Sequence, residues 1–231
     1  MIRAIVIRPE PGCAATVAAA RATGLEAHGF PLFAVLPRDW SPPAATDVDA
    51  LLIGSANALR LGGAALEELH GLPVYAVGAA TAEAAREAGF TVAETGSGGL
   101  QNLLDKIAAG TRLLRLAGEQ RVPLTPPAGV PMIERVVYAS EALPMPSALV
   151  DLLRQNTVVL LHSGEAATHF AGGCDRLGIA RRVIAIAALA PRIAKAAGTG
   201  WASIATAETA TDAALLALTR QLCQSSSETR G

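Results

Sequence analysis

The sequence predicts an α/β protein in which helices cover both faces of parallel sheets. Short aliphatic runs, such as residues 158–161, alternate with longer alanine-rich stretches along the chain. The runs are apolar at successive positions, as is typical of strands buried on both faces, and each is followed by a helical stretch. Alanine is the third indication: it supplies 49 of the 231 residues and favours helices.

The elements of the first half follow from their apolar runs and from glycines that end helices. Gly24 and Gly89 each follow a helical stretch, where glycine readily forms a left-handed C-cap. We predict strands at 2–8, 27–35, 50–53 and 74–77, and helices at 12–23, 56–69, 79–88 and 100–108.

The second half continues the alternation, and prolines mark its breaks. We predict strands at 112–116, 132–138, 158–161, 183–186 and 202–204, and helices at 121–125, 147–154, 165–177, 191–197 and 211–223. The polar residues 224–231 are expected to form a disordered tail.

Charge and composition exclude several classes of partner. Lys and Arg number 19 against 20 Asp and Glu, so the net charge of −1 creates no basic field for nucleic acid or anionic lipid. No apolar run approaches the roughly 20 residues of a membrane span, and we expect no signal peptide. Cys13, Cys174 and Cys223 are far apart, which favours reduced thiols in a cytoplasm. Few histidines and no CxxC or HxxxH spacing indicate no metal site.

An internal repeat relates the two halves. Three pairs of segments align at an offset of 108 or 109 residues, which predicts two similar α/β units. The pairs are Leu51–Ala58 with Leu160–Ala167, Val74–Gly89 with Val183–Gly198, and Arg3–Glu10 with Arg112–Glu119.

Several turns between a strand and a helix carry candidate binding residues. Ser55 with Asn57, and Ser163 with Glu165, follow strands at equivalent places in the repeat. They can act as helix N-caps or as ligand contacts at the carboxyl edge of a sheet, and both readings stay open. Gly78 begins a similar turn, in which backbone N–H groups can reach a ligand.

Other motifs favour ordinary structural roles. Gly96–Gly99 is an incomplete dinucleotide pattern and is better explained as a helix-entry turn, and no Walker A sequence occurs. His162 beside Ser163 lacks the Gly-x-Ser-x-Gly elbow of a Ser/His hydrolase. Tyr138 can act as a general acid or simply pack in the core.

These segments together resemble the uroporphyrinogen-III synthase family. The resemblance runs in order to about Cys223, and no single motif is diagnostic. It is carried by Ile7-Arg8-Pro9, Leu51 to Ala58, Val74 to Thr81, Gly96 with Leu103-Leu104, Leu116-Ala-Gly118-Glu, Val136-Val-Tyr138 and Leu160-Leu-His-Ser163.

The resemblance implies two flavodoxin-like parallel-sheet domains joined by two extended linkers, with an active-site cleft between them. Domain 1 would combine residues 1–36 with 141–231, and domain 2 would be 37–140. The crossings would lie in the proline-rich stretches near Pro37 and Pro144.

The resemblance also implies a reaction. Linear hydroxymethylbilane loses its hydroxyl, ring D is inverted through a spiro intermediate, and the macrocycle closes as uroporphyrinogen III, with no metal or organic cofactor. Because the substrate cyclises spontaneously to the type I isomer, the protein must chiefly position it. Its eight carboxylates call for backbone N–H donors and a few cations.

Carried onto this sequence, the resemblance implies a set of site residues. Tyr138 matches the family tyrosine thought to assist loss of the hydroxyl. The expected substrate contacts are Arg8, Ser55, Asn57, Gly78, Ala79, Thr81, Gly118, Arg121, Ser163, Gly164 and Glu165. One departure stands out: Ile186–Pro191 lacks the hydroxyl of a second Gly-x-x-Thr or Ser-x-x-Thr turn.

Two alternative functions remain open from the sequence alone. The chain could be a two-domain protein that binds an anionic small molecule without catalysis, or a flavin or nucleotide enzyme of flavodoxin-like fold. The main hypothesis predicts a cytoplasmic monomer that acts on hydroxymethylbilane, with a transient contact to the preceding enzyme of the pathway.

Overall fold

A computed structural model describes the backbone of residues 2–228 and the side chains as far as residue 224. The chain divides into two compact units: unit 1 comprises Met1–Ala34 and Glu141–Gly231, and unit 2 comprises Val35–Ser140. Each unit contains one sheet with helices on its faces. The division into domains at 1–36 with 141–231 and at 37–140 stays a prediction of the sequence.

The strands and α-helices are numbered in chain order. The strands are β1 Arg3–Val6, β2 Ala27–Gly29, β3 Phe33–Pro37, β4 Ala50–Ile53, β5 Val74–Val77, β6 Val92–Gly96, β7 Leu113–Gly118, β8 Met132–Ala142, β9 Thr157–Leu161, β10 Ile184–Ala188 and β11 Ser203–Thr206. The helices are α1 Gly12–Ala22, α2 Ala56–Leu61, α3 Ala79–Glu87, α4 Leu100–Leu104, α5 Ser147–Leu153, α6 Gly164–Arg176, α7 Pro191–Ala197 and α8 Asp212–Glu228.

The sheet of unit 1 is parallel and buried on both faces. Its strand order is β11-β10-β9-β1-β2, the flavodoxin-like arrangement. Ile5 of β1 packs with Phe170 of α6 on one face. The next residue, Val6, packs with Leu215 of α8 on the other face. This alternation explains why the strand sequences are continuously apolar.

The sheet of unit 2 has the order β3-β8-β7-β4-β5-β6. The pairs from β8 through β6 are parallel. Leu51 of β4 belongs to one core cluster and Leu52 to another, so this sheet is also covered on both faces.

The repeat in the sequence reappears as equivalent strand positions. In space, β8-β7-β4-β5-β6 of unit 2 corresponds to β2-β1-β9-β10-β11 of unit 1. The three aligned segment pairs fall on β1 with β7, β9 with β4, and β10 with β5. The two units therefore share one sheet plan, but the chain passes through the strands in a different order in each.

Three predicted elements of the first half differ from the structure, and one strand was missed. The helix predicted at 100–108 ends at Leu104. The single strand predicted at 27–35 is wrong: β2 ends at Gly29, and β3 starts at Phe33 in the other sheet. The helix predicted at 56–69 is broken after α2, where Gly63 has a φ of 65°, and a 3-10 helix follows over Ala64–Leu69. Strand β6 was not predicted, because Glu94 and Thr95 interrupt its apolar pattern.

Two predictions of the second half also differ. Residues 121–125 form no helix, since Pro123 lacks the N–H group that a helix requires. The disordered tail predicted from Gln224 is wrong over its first part, because α8 continues to Glu228. Residues 229–231 lie outside the described residues. None of the helices within residues 2–228 has the length and apolarity to cross a bilayer.

Candidate functional site

Unit 2 contains a cavity of about 430 Å³ at the carboxyl edge of its sheet. Its walls come from the second half of β7, from the residues that follow β4, β6 and β7, and from a side chain of β8. Ligands of open parallel sheets bind outside the carboxyl ends of the strands, and this volume suits a small molecule. The walls combine apolar side chains with a few polar ones, among them Leu100, Leu116, Leu124, Ser55, Arg115 and Tyr138.

Tyr138 forms one wall of this cavity and lies against Gly118, its register partner in β7. A Cβ atom at residue 118 would lie 2.7 Å from Cε2 and Cζ of the Tyr138 ring and 2.9 Å from the phenol oxygen. Only glycine leaves room for the ring in this position. The structure thus brings together three residues of the predicted site, since Ser55 lines the same cavity.

Ser55 is the N-cap of α2. Its Oγ accepts a hydrogen bond from the N–H group of Asn57 at 3.3 Å. The structure therefore confirms the capping interpretation of this turn. The substrate contact of Ser55 stays a prediction, supported by its place in the cavity wall.

The predicted contacts at the start of α3 lie outside the lining of this cavity. Gly78 has a φ of 81°, which glycine adopts without strain, and its N–H donates to the carbonyl of Gly96 at 2.9 Å. Thr81 is only 5% exposed, whereas Ala79 is exposed. The N–H of Gly78 is thus already hydrogen-bonded, and the hydroxyl of Thr81 is largely buried. The backbone of Ala79 is therefore the most accessible of these three predicted contacts.

Arg115 is a cavity residue that the sequence reasoning missed. It lies inside β7, a strand in which all six residues are buried. The available signal was a single charge in the apolar run Leu113-Leu-Arg-Leu-Ala-Gly118. Arg121, which was predicted, lies near Arg115: both guanidinium groups contact the carboxylate of Glu134.

The glycine-rich turn after β6 also borders the cavity. Gly98 and Gly99 have φ values of 76° and 114°, and α4 begins directly afterwards. Gly99 and Leu100 line the cavity. The turn is thus a helix entry, as the sequence analysis favoured, and its left-handed residues explain the two adjacent glycines.

In unit 1, the predicted contacts Ser163, Gly164 and Glu165 lie at the start of α6. Ser163 is its N-cap and accepts a hydrogen bond from the N–H of Ala166 at 3.1 Å. Free N–H groups at the first turn of a 13-residue helix favour an anion. The exposed Glu165 carboxylate opposes one, so an anionic ligand would be bound through the backbone there.

Arg8, also predicted as a substrate contact, is engaged within unit 1. Its Nη1 donates to both carboxylate oxygens of Asp212, at 3.1 and 3.0 Å. The hydroxyl of Thr16 donates to the same carboxylate at 2.8 Å. A substrate carboxylate would therefore have to compete with Asp212 for Arg8.

His162 lies beside this ion pair, with Nε2 3.2 Å from Oδ1 of Asp212. Its side chain is 8% exposed, and Nδ1 has no partner among the described residues. Burial, with a smaller contribution from the nearby Arg8, lowers the pKa of His162 to about 4, and Asp212 opposes both effects. The imidazole is therefore neutral at pH 7.

This burial predicts a loss of stability in mild acid. Between pH 6.5 and 4 the unfolded chain binds a proton at His162 that the folded chain does not, so the free energy of unfolding falls as the pH falls. The full effect is up to about 3 kcal/mol. Urea unfolding at pH 7 and pH 4.5 should show a smaller loss for His162→Asn than for the wild type. The control variant His70→Asn, at an exposed histidine, should lose as much unfolding free energy between pH 7 and pH 4.5 as the wild type. If His162→Asn also loses as much as the wild type, the loss does not come from His162.

The departure noted at Ile186–Pro191 is visible as a helix entry without a hydroxyl. Ala190 is the N-cap of α7 and makes no side-chain cap hydrogen bond, and Pro191 occupies the first turn. Any contact made to a ligand here would come from the backbone. Among the described residues, no group of three or more His, Cys, Asp or Glu side chains is placed to hold a metal ion.

These features are those of a flavodoxin-like α/β protein with two mainly parallel sheets. The turns at the ends of its strands carry capping hydroxyls and glycines, and few cations. A family model described as uroporphyrinogen-III synthase HemD matches residues 14–217. The chain belongs to the uroporphyrinogen-III synthase family, whose members are cyclising hydro-lyases of porphyrin biosynthesis.

Solved structures agree on the fold. The uroporphyrinogen-III synthetase of Helicobacter pylori 26695 aligns with a TM-score of 0.66 and 17% identity over 96% of this chain and 100% of that one. A variant of the uroporphyrinogen III synthase of Thermus thermophilus aligns with a TM-score of 0.52 and 19% identity over 97% and 100%. No curated protein sequence matches the chain significantly.

Proposed function

We propose that the chain cyclises hydroxymethylbilane to uroporphyrinogen III, with inversion of ring D and release of water. The observation that carries this proposal is the family match over residues 14–217. No comparison favours the alternative of a binding protein without catalysis. The roles of individual residues belong to the proposal.

The cavity of unit 2 suits part of this substrate. Its apolar walls can pack against pyrrole rings. Arg121 lies outside the lining of this cavity, in a neighbouring pocket that shares Arg115 with it, and from there its guanidinium can meet a carboxylate. About 430 Å³ is too small for a four-ring bilane, so this cavity would hold one part of the molecule. Ser55 and Asn57 would add a hydroxyl and an amide contact beside it.

Tyr138 is the proposed general acid. Loss of the substrate hydroxyl breaks a C–O bond, and the oxygen leaves as water if it receives a proton as the bond breaks. Among the described residues the Tyr138 phenol has no hydrogen-bond partner, and it is part of the cavity wall. It is therefore available to donate to a bound substrate.

Unit 1 would contribute further carboxylate contacts through Ser163, Gly164 and the backbone of Glu165. Arg8 would contribute by exchanging Asp212 for a substrate carboxylate. In unit 2, the start of α3 would contribute through Gly78, Ala79 and Thr81, chiefly by way of the exposed Ala79 backbone.

The test is the isomer formed by the purified chain. Freshly generated hydroxymethylbilane should give mainly the type III macrocycle, separated from type I by chromatography after oxidation. Buffer alone and heat-denatured protein serve as controls and should give type I. If the native protein also yields only type I, the proposed function is wrong.

We further propose that the chain acts as a cytoplasmic monomer and receives its substrate through a transient contact with the preceding enzyme. The three cysteines support a reducing compartment, since all are free. Burial raises their pKa values to about 11 for Cys13 and Cys223 and to about 12 for Cys174, so they remain thiols.

A further inference from the structure

The buried arginine in the wall of the unit 2 cavity needs an explanation. Register places Arg115 between Leu52 of β4 and Glu134 of β8, and its side chain is 6% exposed. Burial lowers the pKa of this guanidinium, against the pull of Glu134. A charge in a sheet interior destabilises the fold unless its partners compensate for the lost hydration. A residue with only a packing role would be better served by leucine or methionine.

Arg115 connects a strand to a loop. Its Nη1 donates to Oε2 of Glu134 at 2.8 Å, and its Nη2 donates to the carbonyl of Val122 at 2.9 Å. Nε has no partner within the described part of the chain. Val122 belongs to residues 119–125, which we call the cavity loop because Val122, Pro123 and Leu124 line the cavity.

Glu134 is shared between two cations. Its other oxygen accepts a hydrogen bond from Nε of Arg121 at 2.5 Å. Glu134 therefore faces two guanidinium groups. Glu119 lines the same pocket, and its carboxylate lies 3.4 Å from Nη2 of Arg38. Of the two cations on Glu134, Arg121 is the one that reaches the surface: its side chain is 31% exposed, against 6% for Arg115.

The cavity loop is held at three places. Near its start, Arg121 donates to the carbonyls of Gly118 and Glu119. At its end, the Gln101 side chain exchanges two 2.9 Å hydrogen bonds with the backbone of Thr125. In the middle, the hydrogen bond from Arg115 ties Val122 to the sheet, although Val122 is 76% exposed.

We propose that Arg115 is a positioning residue for the reaction: it holds the cavity loop against the sheet and, through Glu134, places Arg121 to pair with one substrate carboxylate. The inference rests on the proposed function. Arg115 itself is covered and acts through the loop and through Arg121. Loss of Arg115 should therefore impair substrate binding and the choice of isomer more than the chemical step.

The experiment compares Arg115→Met, Arg121→Met and the double variant in the full-length chain. Each single variant should raise KM by roughly tenfold, change kcat less than about threefold, and increase the fraction of type I product. If Arg115 acts through Arg121, the double variant should be at most about twofold worse than the poorer single variant. Multiplied effects on KM in the double variant would overturn the proposal.

Arg112→Met is the matched control. Arg112 stands just before the same strand and makes similar contacts, with Nη2 2.6 Å from Asp49 and Nη1 2.7 Å from the carbonyl of Thr46. Its partners lie at the amino end of β7, away from the cavity lining. This variant should lower the melting temperature without changing KM or the isomer ratio.

A second variant, Arg115→Lys, tests the proposal if Arg115→Met does not fold. Arg115→Lys keeps the charge but cannot bridge Glu134 and the Val122 carbonyl with a planar fork, so KM should still rise severalfold. The positioning role is wrong if a folded Arg115 variant matches the wild type in KM and isomer ratio while the wild type makes type III. Type I product from the wild type would instead refute the proposed function.

Discussion

Tyr138→Phe is expected to lower kcat for type III formation by roughly 10- to 100-fold, because positioned general acids contribute about this much or more. The ring would keep its contact with Gly118 and its place in the cavity wall, so KM and the melting temperature should change little. Steady-state rates with the isomer assay, together with a thermal melt, measure all three quantities.

Tyr75→Phe is the matched control for this substitution. Tyr75 is the other tyrosine of the chain, lies in β5 of the same unit, and packs against a core cluster. Its variant should retain wild-type kcat. If Tyr138→Phe is equally active, Tyr138 is a packing residue and the general acid must be sought elsewhere.

Gly118→Ala is expected to have a comparable effect by a different route. The new Cβ would lie 2.7 Å from the Tyr138 ring, so the ring must move away from its present position. The atoms displaced are the outer end of a side chain, and the φ of Gly118 is not in the left-handed region, so the fold should survive. We expect kcat to fall by roughly tenfold or more, because a misplaced acid is nearly as ineffective as an absent one.

The double variant links the two predictions. With the phenol already removed by Tyr138→Phe, Gly118→Ala should reduce kcat only slightly further. Gly173→Ala in α6 is the control: its Cβ would lie 2.5 Å from Cε of Met145, also the end of a flexible side chain, but in unit 1. A large drop in kcat for Gly173→Ala would mean that such crowding acts through general destabilisation.

The parallel sheets could be predicted from the sequence because a strand that is buried on both faces is apolar at every position. Val158 and Val159 point to opposite faces of β9, and both are fully buried, so the run had to be apolar throughout. The internal repeat could be recognised for the same reason, because its aligned segments include these apolar strands. Strand β6 was not predicted, because the adjacent Glu94 and Thr95 interrupt its short apolar run at the edge of the sheet.

Local signals could not reveal where the chain changes sheets. The run Ala27–Val35 looks like one strand, yet β2 and β3 pair in different sheets on either side of Pro31. Which neighbour a strand pairs with depends on contacts distant in sequence, and a propensity pattern does not contain them.

For the candidate site, the turns could be located from the sequence, but which of their residues lie next to one another was seen only in the structure. Ser55, Gly118 and Tyr138 were predicted individually, and register and the cavity bring them together. Arg115 was missed because its meaning depends on Glu134, 19 residues away in sequence, and on the carbonyl of Val122. Likewise, the engagement of Arg8 by Asp212 joins residues 204 positions apart.

The order of strands in unit 1 has a consequence for synthesis on the ribosome. Strand β1 pairs with β9, so Arg3 must wait for Thr157 to emerge before its sheet can close. Unit 2, residues 35–140, is synthesised between the two segments of unit 1, so β1 and β2 are made before the strands that complete their sheet. Ile5 of β1 and Ile7 just after it therefore stay exposed to water until residues 157–161 have been made. During that interval, chaperones would bind the segment around β1 more readily than they would after β9 has paired with it.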